Sequence, residues 1–308
     1  MSVPACRACG SSSTRIRGQK NGSYLRRNFT FHDCADCGLL FVEPFSGFGV
    51  YDDAYYRGKG PDPYVDYETE YRDWRASDRR HELTDLARIA TRHLEARADT
   101  NRHGEPLRWL DFGCGAGALL KCLHDAGSLA GRRLELSGHD VGSWADRLRT
   151  NDGLRILGPA ELSALPDGSF DVVSMIEVIE HLPAPAEPVA LAARLLRPGG
   201  LLLLTTGNLA SPVARRAGLG YHYCAPEIHV SLFNPSCLAR LYARAGLEPL
   251  TVRFEGTVRF KVLKTLRHRP FLRSLAAIAL RFPPVIALID RLYGVSAMPC
   301  AVKPRRPA

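Results

Sequence analysis

Leu110-Asp111-Phe112-Gly113-Cys114-Gly115-Ala116-Gly117, followed by Ala118-Leu119-Leu120-Lys121-Cys122-Leu123, decides the fold. It reads as a buried strand that breaks into a glycine-rich turn and opens a helix. Glycines at alternate positions let the backbone turn tightly and approach a ligand without a Cβ in the way. The helix that follows aims its free N–H groups and positive dipole end at the turn. Such a construction binds a nucleotide-like cofactor.

Two cofactors compete for it. Gly113-x-Gly115-x-x-Ala118 satisfies the dinucleotide fingerprint, which on its own is a weak signal. Asp111, two residues before the first glycine, instead offers a carboxylate to an ammonium that S-adenosylmethionine (SAM) carries and NAD lacks. The turn also follows more than a hundred residues of other sequence, whereas a dinucleotide fold often starts at its own fingerprint. From residue 107 onward, strand and helix patterns alternate, which implies a parallel, doubly wound sheet. Strands are expected at Leu107–Phe112, Arg133–Asp140, Arg155–Leu157, Phe170–Ile176, Leu201–Thr206 and Glu248–Phe254, with a helix over Asn234–Ala245.

The segments LDFGCGAG (110–117), LSGHD (136–140), LPDGSFDVVSMIEVIEHL (165–182) and LLRPGGLLLLTT (195–206) together resemble the class I SAM-dependent methyltransferases. The resemblance covers roughly residues 105–255 and the last ten or so. It implies a Rossmann-like, seven-stranded α/β sheet ending in an antiparallel pair, whose last strand falls at Ala297–Val302. It also implies site roles. The turn Gly113, Gly115 and Gly117 takes the methionine part of SAM, with Asp111 on its ammonium, and Asp140 accepts the ribose hydroxyls. Trp144 flanks adenine or is a core tryptophan. Ala160 and Glu161 reach the adenine amino group, or Glu161 merely starts a helix.

Glu177-Val178-Ile179-Glu180-His181 begins at the end of the fourth strand, where open α/β sheets bind ligands. If the chain turns helical there, positions i, i+3 and i+4 share a face. Glu177, Glu180 and His181 then converge, and His229 later in the chain is a fourth candidate. This set resembles the metal site of small-RNA 2′-O-methyltransferases and ubiquinone-pathway O-methyltransferases. Its ligands suit Mg²⁺, Mn²⁺ or Fe²⁺. The metal-free reading makes Glu177, Glu180 and His181 a pocket wall, with His181 or His229 as general base.

Cys6-x-x-Cys9-Gly10 and Cys34-x-x-Cys37-Gly38, with 24 residues between the pairs, have the spacing of a closed Zn²⁺ site and predict a zinc ribbon with a hairpin arm over Tyr24–Phe31. Two disulfides are the bland alternative. The other five cysteines read as small apolar residues. The expected organisation is a zinc ribbon (1–45), a tyrosine-rich linker and helical cap (46–105), the SAM-binding core (106–255), a helical insertion (256–294), and the last strand with a basic tail (295–308). In the linker, Pro61 and Pro63 mark a turn. A helix is expected from about Glu70 to Ala98, with Leu83, Leu86, Ile89, Ala90 and Leu94 on one face. The tyrosines from Tyr51 to Tyr71 either pack on the sheet or form a lid over the substrate.

The chain has 308 residues, of which 45% are hydrophobic and 24% charged, enough for one large domain and a small one. A net charge of +9 invites polyanions, but arginine pairs such as Arg26-Arg27, Arg79-Arg80, Arg215-Arg216 and Arg305-Arg306 are scattered. No secretory signal is visible, and no apolar run approaches the ~20 residues of a membrane span, so a cytoplasmic location is expected. Within 256–294, Arg267, Arg269, Arg273 and Arg281 interleave with apolar residues. That pattern fits a pocket cap, a homodimer face or peripheral membrane contact. The expected activity is O-methylation of a hydroxyl on a sugar or other small molecule. The rivals are an RNA 2′-O-methyltransferase, and a non-catalytic zinc-ribbon binding or scaffold protein with a degenerate SAM fold.

Overall fold

Alternating leucines build the sheet's two faces. Leu201 and Leu203 pack into one hydrophobic cluster with Leu86, Trp109 and Leu123, while Leu202 and Leu204 pack into another with Leu110, Val173 and Leu238. Successive strand residues point to opposite faces, so a continuous leucine run means a strand covered on both sides. A computed structural model describes residues 4–62, 67–97, 104–151 and 154–305. Pro63, Ala98 and Arg306, which enter the sequence reading, lie outside the described residues.

The strands in chain order are β1 (Thr14–Asn21), β2 (Asn28–Cys34), β3 (Leu40–Glu43), β4 (Leu107–Phe112), β5 (Ser128–Leu129), β6 (Arg132–His139), β7 (Phe170–Ile176), β8 (Leu196–Thr205), β9 (Ser231–Leu232), β10 (Glu248–Leu250) and β11 (Cys300–Val302). The large sheet has seven strands in the order β10-β11-β8-β7-β4-β6-β5. β6, β4, β7 and β8 run parallel, and β11 is antiparallel to both β8 and β10. This is the Rossmann-like class I methyltransferase architecture.

Three elements depart from expectation, each for a local reason. The strand at Arg155–Leu157 shrinks to one parallel bridge, Gly138 to Ile156, because Gly158-Pro159 opens the helix Pro159–Ala164 at once. The seventh strand is instead β5, which forms a hairpin with β6. Pro198-Gly199-Gly200 lies inside β8 as a bulge: pairing with β7 jumps from Phe170↔Leu196 to Val172↔Leu201, with Gly199 at φ 80°. The long helix breaks into Tyr67–Arg72 and Arg80–Ala96 around a turn in which the Arg79 N–H donates to Ser77 Oγ. Its expected apolar face, from Leu83 to Leu94, is buried. The insertion forms three helices, Glu255–Thr265, Pro270–Ala279 and Pro283–Tyr293.

The cysteine-bearing ribbon merges with the core. Its hairpin is longer than expected, since β1 already begins at Thr14, and β9 adds to β3 as a fourth strand. Cys6, Cys34, Cys37, Leu39 and Phe41 share a hydrophobic cluster with Phe233 and Leu238. The hairpin turn is pinned by Glu227, a buried carboxylate that accepts backbone N–H bonds from Ser23 (3.1 Å), Tyr24 (2.8 Å) and Leu25. Removing that carboxylate strands three donors. Glu227→Ala should therefore lower unfolding free energy by roughly 3 kcal/mol, read from urea denaturation. A loss below about 1 kcal/mol would mean that the turn holds itself.

Candidate active site

The turn after β4 puts Gly113, Gly115 and Gly117 in the left-handed region, at φ 79°, 53° and 73°. A Cβ at Gly113 would strike the Val178 side chain, so the positive φ and the close approach both demand glycine there. The N–H groups of Gly113 and Cys114 donate to the His139 carbonyl at 2.6 and 3.1 Å, locking the turn onto the end of β6. Gly117 caps the helix Ala118–Ala126, whose N-terminus faces the turn. Asp111, Gly113, Asp140, Glu177, Tyr51 and Tyr56 line the cavity that opens there.

Asp111 is buried and accepts one hydrogen bond from the Ser174 hydroxyl at 2.7 Å, while Trp109 Nε1–H donates to the same hydroxyl at 2.8 Å. Burial pushes its carboxyl up to about 6. Asp140 accepts from the Gly115 N–H (2.8 Å), the Gly142 N–H (2.6 Å) and the Tyr56 hydroxyl (3.1 Å). Trp144 is buried, stacks on Tyr56 with centroids 5.1 Å apart, and donates Nε1–H to Asp53. Glu161 accepts the Gly158 N–H at 2.7 Å; it caps its own helix, and neither it nor Ala160 lines the cavity. Tyr51, Tyr55, Tyr56 and Tyr67 line the same cavity as the glycine turn.

At the end of β7 the chain does not become α-helical. Glu177 takes φ 57°, and only one 3-10 turn, Ile179–His181, follows. That positive φ separates Glu177 from the face expected for it. Its carboxylate meets the Tyr223 hydroxyl and, at 3.5 Å, Lys261 Nζ. Burial opposes its charge, yet Lys261 and Tyr223 hold the carboxyl down at about 2.

Glu180, His181 and His229 do converge: one ligand atom from each lies within 4.8 Å of the others. Glu180 is fully buried; its Oε2 accepts from Thr206 at 2.8 Å, and its Oε1 has no partner among the described residues. His229 Nδ1 faces the Tyr223 carbonyl at 2.9 Å, and His181 Nδ1 faces the Ile228 carbonyl at 3.0 Å. A carbonyl only accepts, so both Nδ1 atoms carry the proton and both Nε2 lone pairs stay free. Tyr51 hydroxyl lies 2.8 Å from the same His181 nitrogen. Burial holds both imidazoles neutral, pushing His229 down to about 3, and burial with the nearby Glu177 charge pushes Glu180 well above the carboxylate range. The Glu180 carboxyl beside two imidazole lone pairs is a ligand set that fits a cation, which would displace the proton that burial holds on Glu180.

The four ribbon cysteines also gather. Cys6 and Cys37 Sγ are 3.5 Å apart, and Cys9 and Cys34 are 3.6 Å apart. These are free thiols, too far apart for disulfides and near the ~3.8 Å edge of a tetrahedron with 2.3 Å Zn–S bonds. The cluster is thus compatible with zinc.

Sequence reasoning missed Tyr51, Thr206, Tyr223 and Lys261 as individual site residues. Tyr51 stood in a flagged tyrosine run and Thr206 closed a flagged strand. Tyr223 and Lys261 carried no local signal, because only the tertiary fold brings them to Glu177.

The family described as "Methyltransferase domain" matches residues 68–252. The ubiquinone biosynthesis O-methyltransferase of Burkholderia pseudomallei (strain 1710b) is 29% identical over 165 residues, which cover 50% of this chain and 70% of that one. Its counterpart from Aromatoleum aromaticum is 35% identical over 155 residues, covering 46% and 64%. A SAM-dependent methyltransferase of known structure from Archaeoglobus fulgidus aligns with a TM-score of 0.40 at 17% identity, over 70% of this chain and 92% of its own.

If Asp111 takes the ammonium of SAM, its raised pKa makes cofactor affinity depend on pH. Pairing with an ammonium needs the carboxylate, so SAM affinity should fall as pH drops through about 6. Stability runs the other way. With an unfolded pKa near 3.9, the ionised buried carboxylate costs about 3 kcal/mol above pH 6, and the cost disappears below about pH 4. Asp111→Asn should therefore raise the Tm of the cofactor-free protein at pH 7 while weakening SAM binding and flattening its pH dependence in calorimetry.

Proposed function

The chain belongs to the methyltransferase-domain family and is a SAM-dependent methyltransferase, and from that premise we propose that it transfers the methyl group to a hydroxyl of a sugar or other small molecule, assisted by a divalent ion. The observation that carries the reading is the unpartnered Glu180 Oε1, buried beside two free imidazole lone pairs. Like-for-like support comes from the curated relatives, which are named as O-methyltransferases. The cavity lining of Tyr51, Tyr55, Tyr56 and Tyr67 suits a small acceptor more than a polymer.

In the transfer, the S–CH₃ bond of the sulfonium breaks with its electron pair staying on sulfur, the O–CH₃ bond forms, and the proton of the acceptor hydroxyl is released to solvent. SAM is already activated, so the protein's task is alignment within about 3–3.5 Å and preparation of a poor nucleophile. Asp111 holds the ammonium of the methionine part, and Asp140 takes a ribose hydroxyl in the place that Tyr56 occupies. An Mg²⁺ or Mn²⁺ ion held by Glu180, His181 and His229 would supply Lewis acidity that lowers the pKa of the hydroxyl. Thr206 orients Glu180, Tyr51 and the Ile228 carbonyl orient His181, and the Tyr223 carbonyl orients His229. Glu177, paired with Lys261 and Tyr223, is a charged wall of the pocket rather than a ligand. The four ribbon cysteines hold a structural Zn²⁺.

Turnover of SAM with vicinal-diol and sugar acceptors should vanish in EDTA and return with Mg²⁺ or Mn²⁺. Glu180→Ala should lose about two orders of magnitude or more of that turnover. Tyr51→Phe should weaken Mn²⁺ binding, followed by electron paramagnetic resonance, by about tenfold to a hundredfold. If Glu180→Ala keeps full, EDTA-insensitive turnover, no metal takes part and His229 is left as the base. Methylation of RNA but of no small acceptor would overturn the substrate class.

A further inference from the structure

Residues 256–294 carry eight basic side chains and one acid, Asp290, and so hold seven of the chain's nine net positive charges. The same stretch exposes its apolar residues. The helix Pro270–Ala279 buries none of its side chains, and Pro283–Tyr293 buries only Ile286. Phe271 is 74% exposed and Phe282 60%, with Leu275, Ile278 and Leu288 each at least half exposed. A contiguous apolar patch left in water marks an interaction surface.

The charge sits on the other side of the same helix. Arg273, Ser274, Ala277 and, just beyond, Arg281 face a cleft shared with Arg80 and Arg259. In that cleft Arg259 Nε and Arg273 Nε are buried with no hydrogen-bond acceptor among the described residues, although the Arg273 guanidinium also meets Asp78 at 2.6 Å. Apolar residues outward and arginines one helix diameter behind is the section of a helix lying in a lipid interface. Neither helix alone is long and apolar enough to span a membrane. Each helix is about 15 Å long against a hydrocarbon core of about 30 Å, and the two are bent by 113° at their junction. A second copy of this chain fits poorly, because it would bring an equal excess of positive charge against this one.

We propose that the helices Pro270–Ala279 and Pro283–Tyr293 dock onto an anionic lipid bilayer. Phe271, Leu275, Ile278, Phe282 and Leu288 enter below the headgroups, and lipid phosphates settle against Arg259, Arg273 and Arg281. The apolar side chains supply depth, and the arginines supply selectivity for negative surface charge.

Co-sedimentation of the full chain with vesicles tests this, using phosphatidylcholine alone and phosphatidylcholine mixed in roughly equal parts with phosphatidylglycerol. Binding is expected only to the mixed vesicles, weakening as salt rises. Phe271→Ser with Leu275→Ser, and separately Arg269→Glu with Arg281→Glu, should each reduce it by roughly tenfold or more. These side chains are exposed, so SAM binding by calorimetry should stay unchanged, which separates lost docking from lost folding. No binding to mixed vesicles at low salt overturns the proposal, as does equal binding to neutral ones. It also fails if light scattering finds a dimer that Phe271→Ser and Leu275→Ser dissociate, since a second copy would then cover the face.

Discussion

Burying a carboxylate is costly unless it is paired or fully hydrogen-bonded, and the layout of this protein follows from where that rule is kept and where it is not. Asp171 is paired with Arg132 and Arg197, Glu82 and Glu70 with Arg79, and Asp85 with Arg88. Glu227 is satisfied by three backbone N–H groups. Asp111 and Glu180 differ: both are buried, each receives one hydroxyl hydrogen bond, and neither has an ion pair among the described residues. They stand just past or within the C-terminal ends of adjacent strands, β4 and β7. Asp111 lines the cavity and Glu180 lies next to the cavity-lining His181, so each leaves a buried acid that a cation from outside the chain would satisfy.

The ribbon takes part in this arrangement. The Val42 N–H of β3 donates to the Val230 carbonyl, and the Val230 N–H donates to the Glu180 carbonyl, at 3.0 and 2.8 Å. A ladder of backbone bonds thus runs from the cysteine-stapled sheet to Glu180, with His229 on the rung next to it. Glu227, two residues earlier, ties the same segment to the ribbon hairpin. A closed four-cysteine site stabilises a small sheet that could not fold on its own core. In this protein the sheet that carries the four cysteines is the backing of the segment that carries His229.

Local chemistry made much of this legible from sequence. The glycine turn, Asp111, Asp140 and the paired cysteines announce themselves because each requires a particular residue at a fixed offset. What failed to show was non-local or conformational. Helical spacing in Glu177-x-x-Glu180-His181 suggested one shared face, but the left-handed Glu177 breaks the period, and its partners Tyr223 and Lys261 arrive from 46 and 84 residues away. The loss of the strand at Arg155–Leu157 likewise depends on how soon Gly158-Pro159 begins a helix, a competition that periodicity cannot weigh.

Lys261 also shows that the insertion is two things. Its first helix, Glu255–Thr265, is fastened at the root: Gly256 N–H donates to Asp85 at 2.8 Å and Thr257 Oγ1 to Glu82 at 3.0 Å, while Lys261 Nζ reaches the Tyr223 hydroxyl at 2.9 Å. Gly256 lies so close to the His81 carbonyl that no side chain fits between the helices. The next two helices are tied more lightly, by the Arg273–Asp78 ion pair, and bury a single side chain between them, Ile286. Stability is therefore graded along the insertion, high where it walls the pocket beside Glu177 and low where it meets solvent. A stiff root under a loose apolar end lets the outer helices adapt to a surface without disturbing the ion pair that holds Glu177 charged.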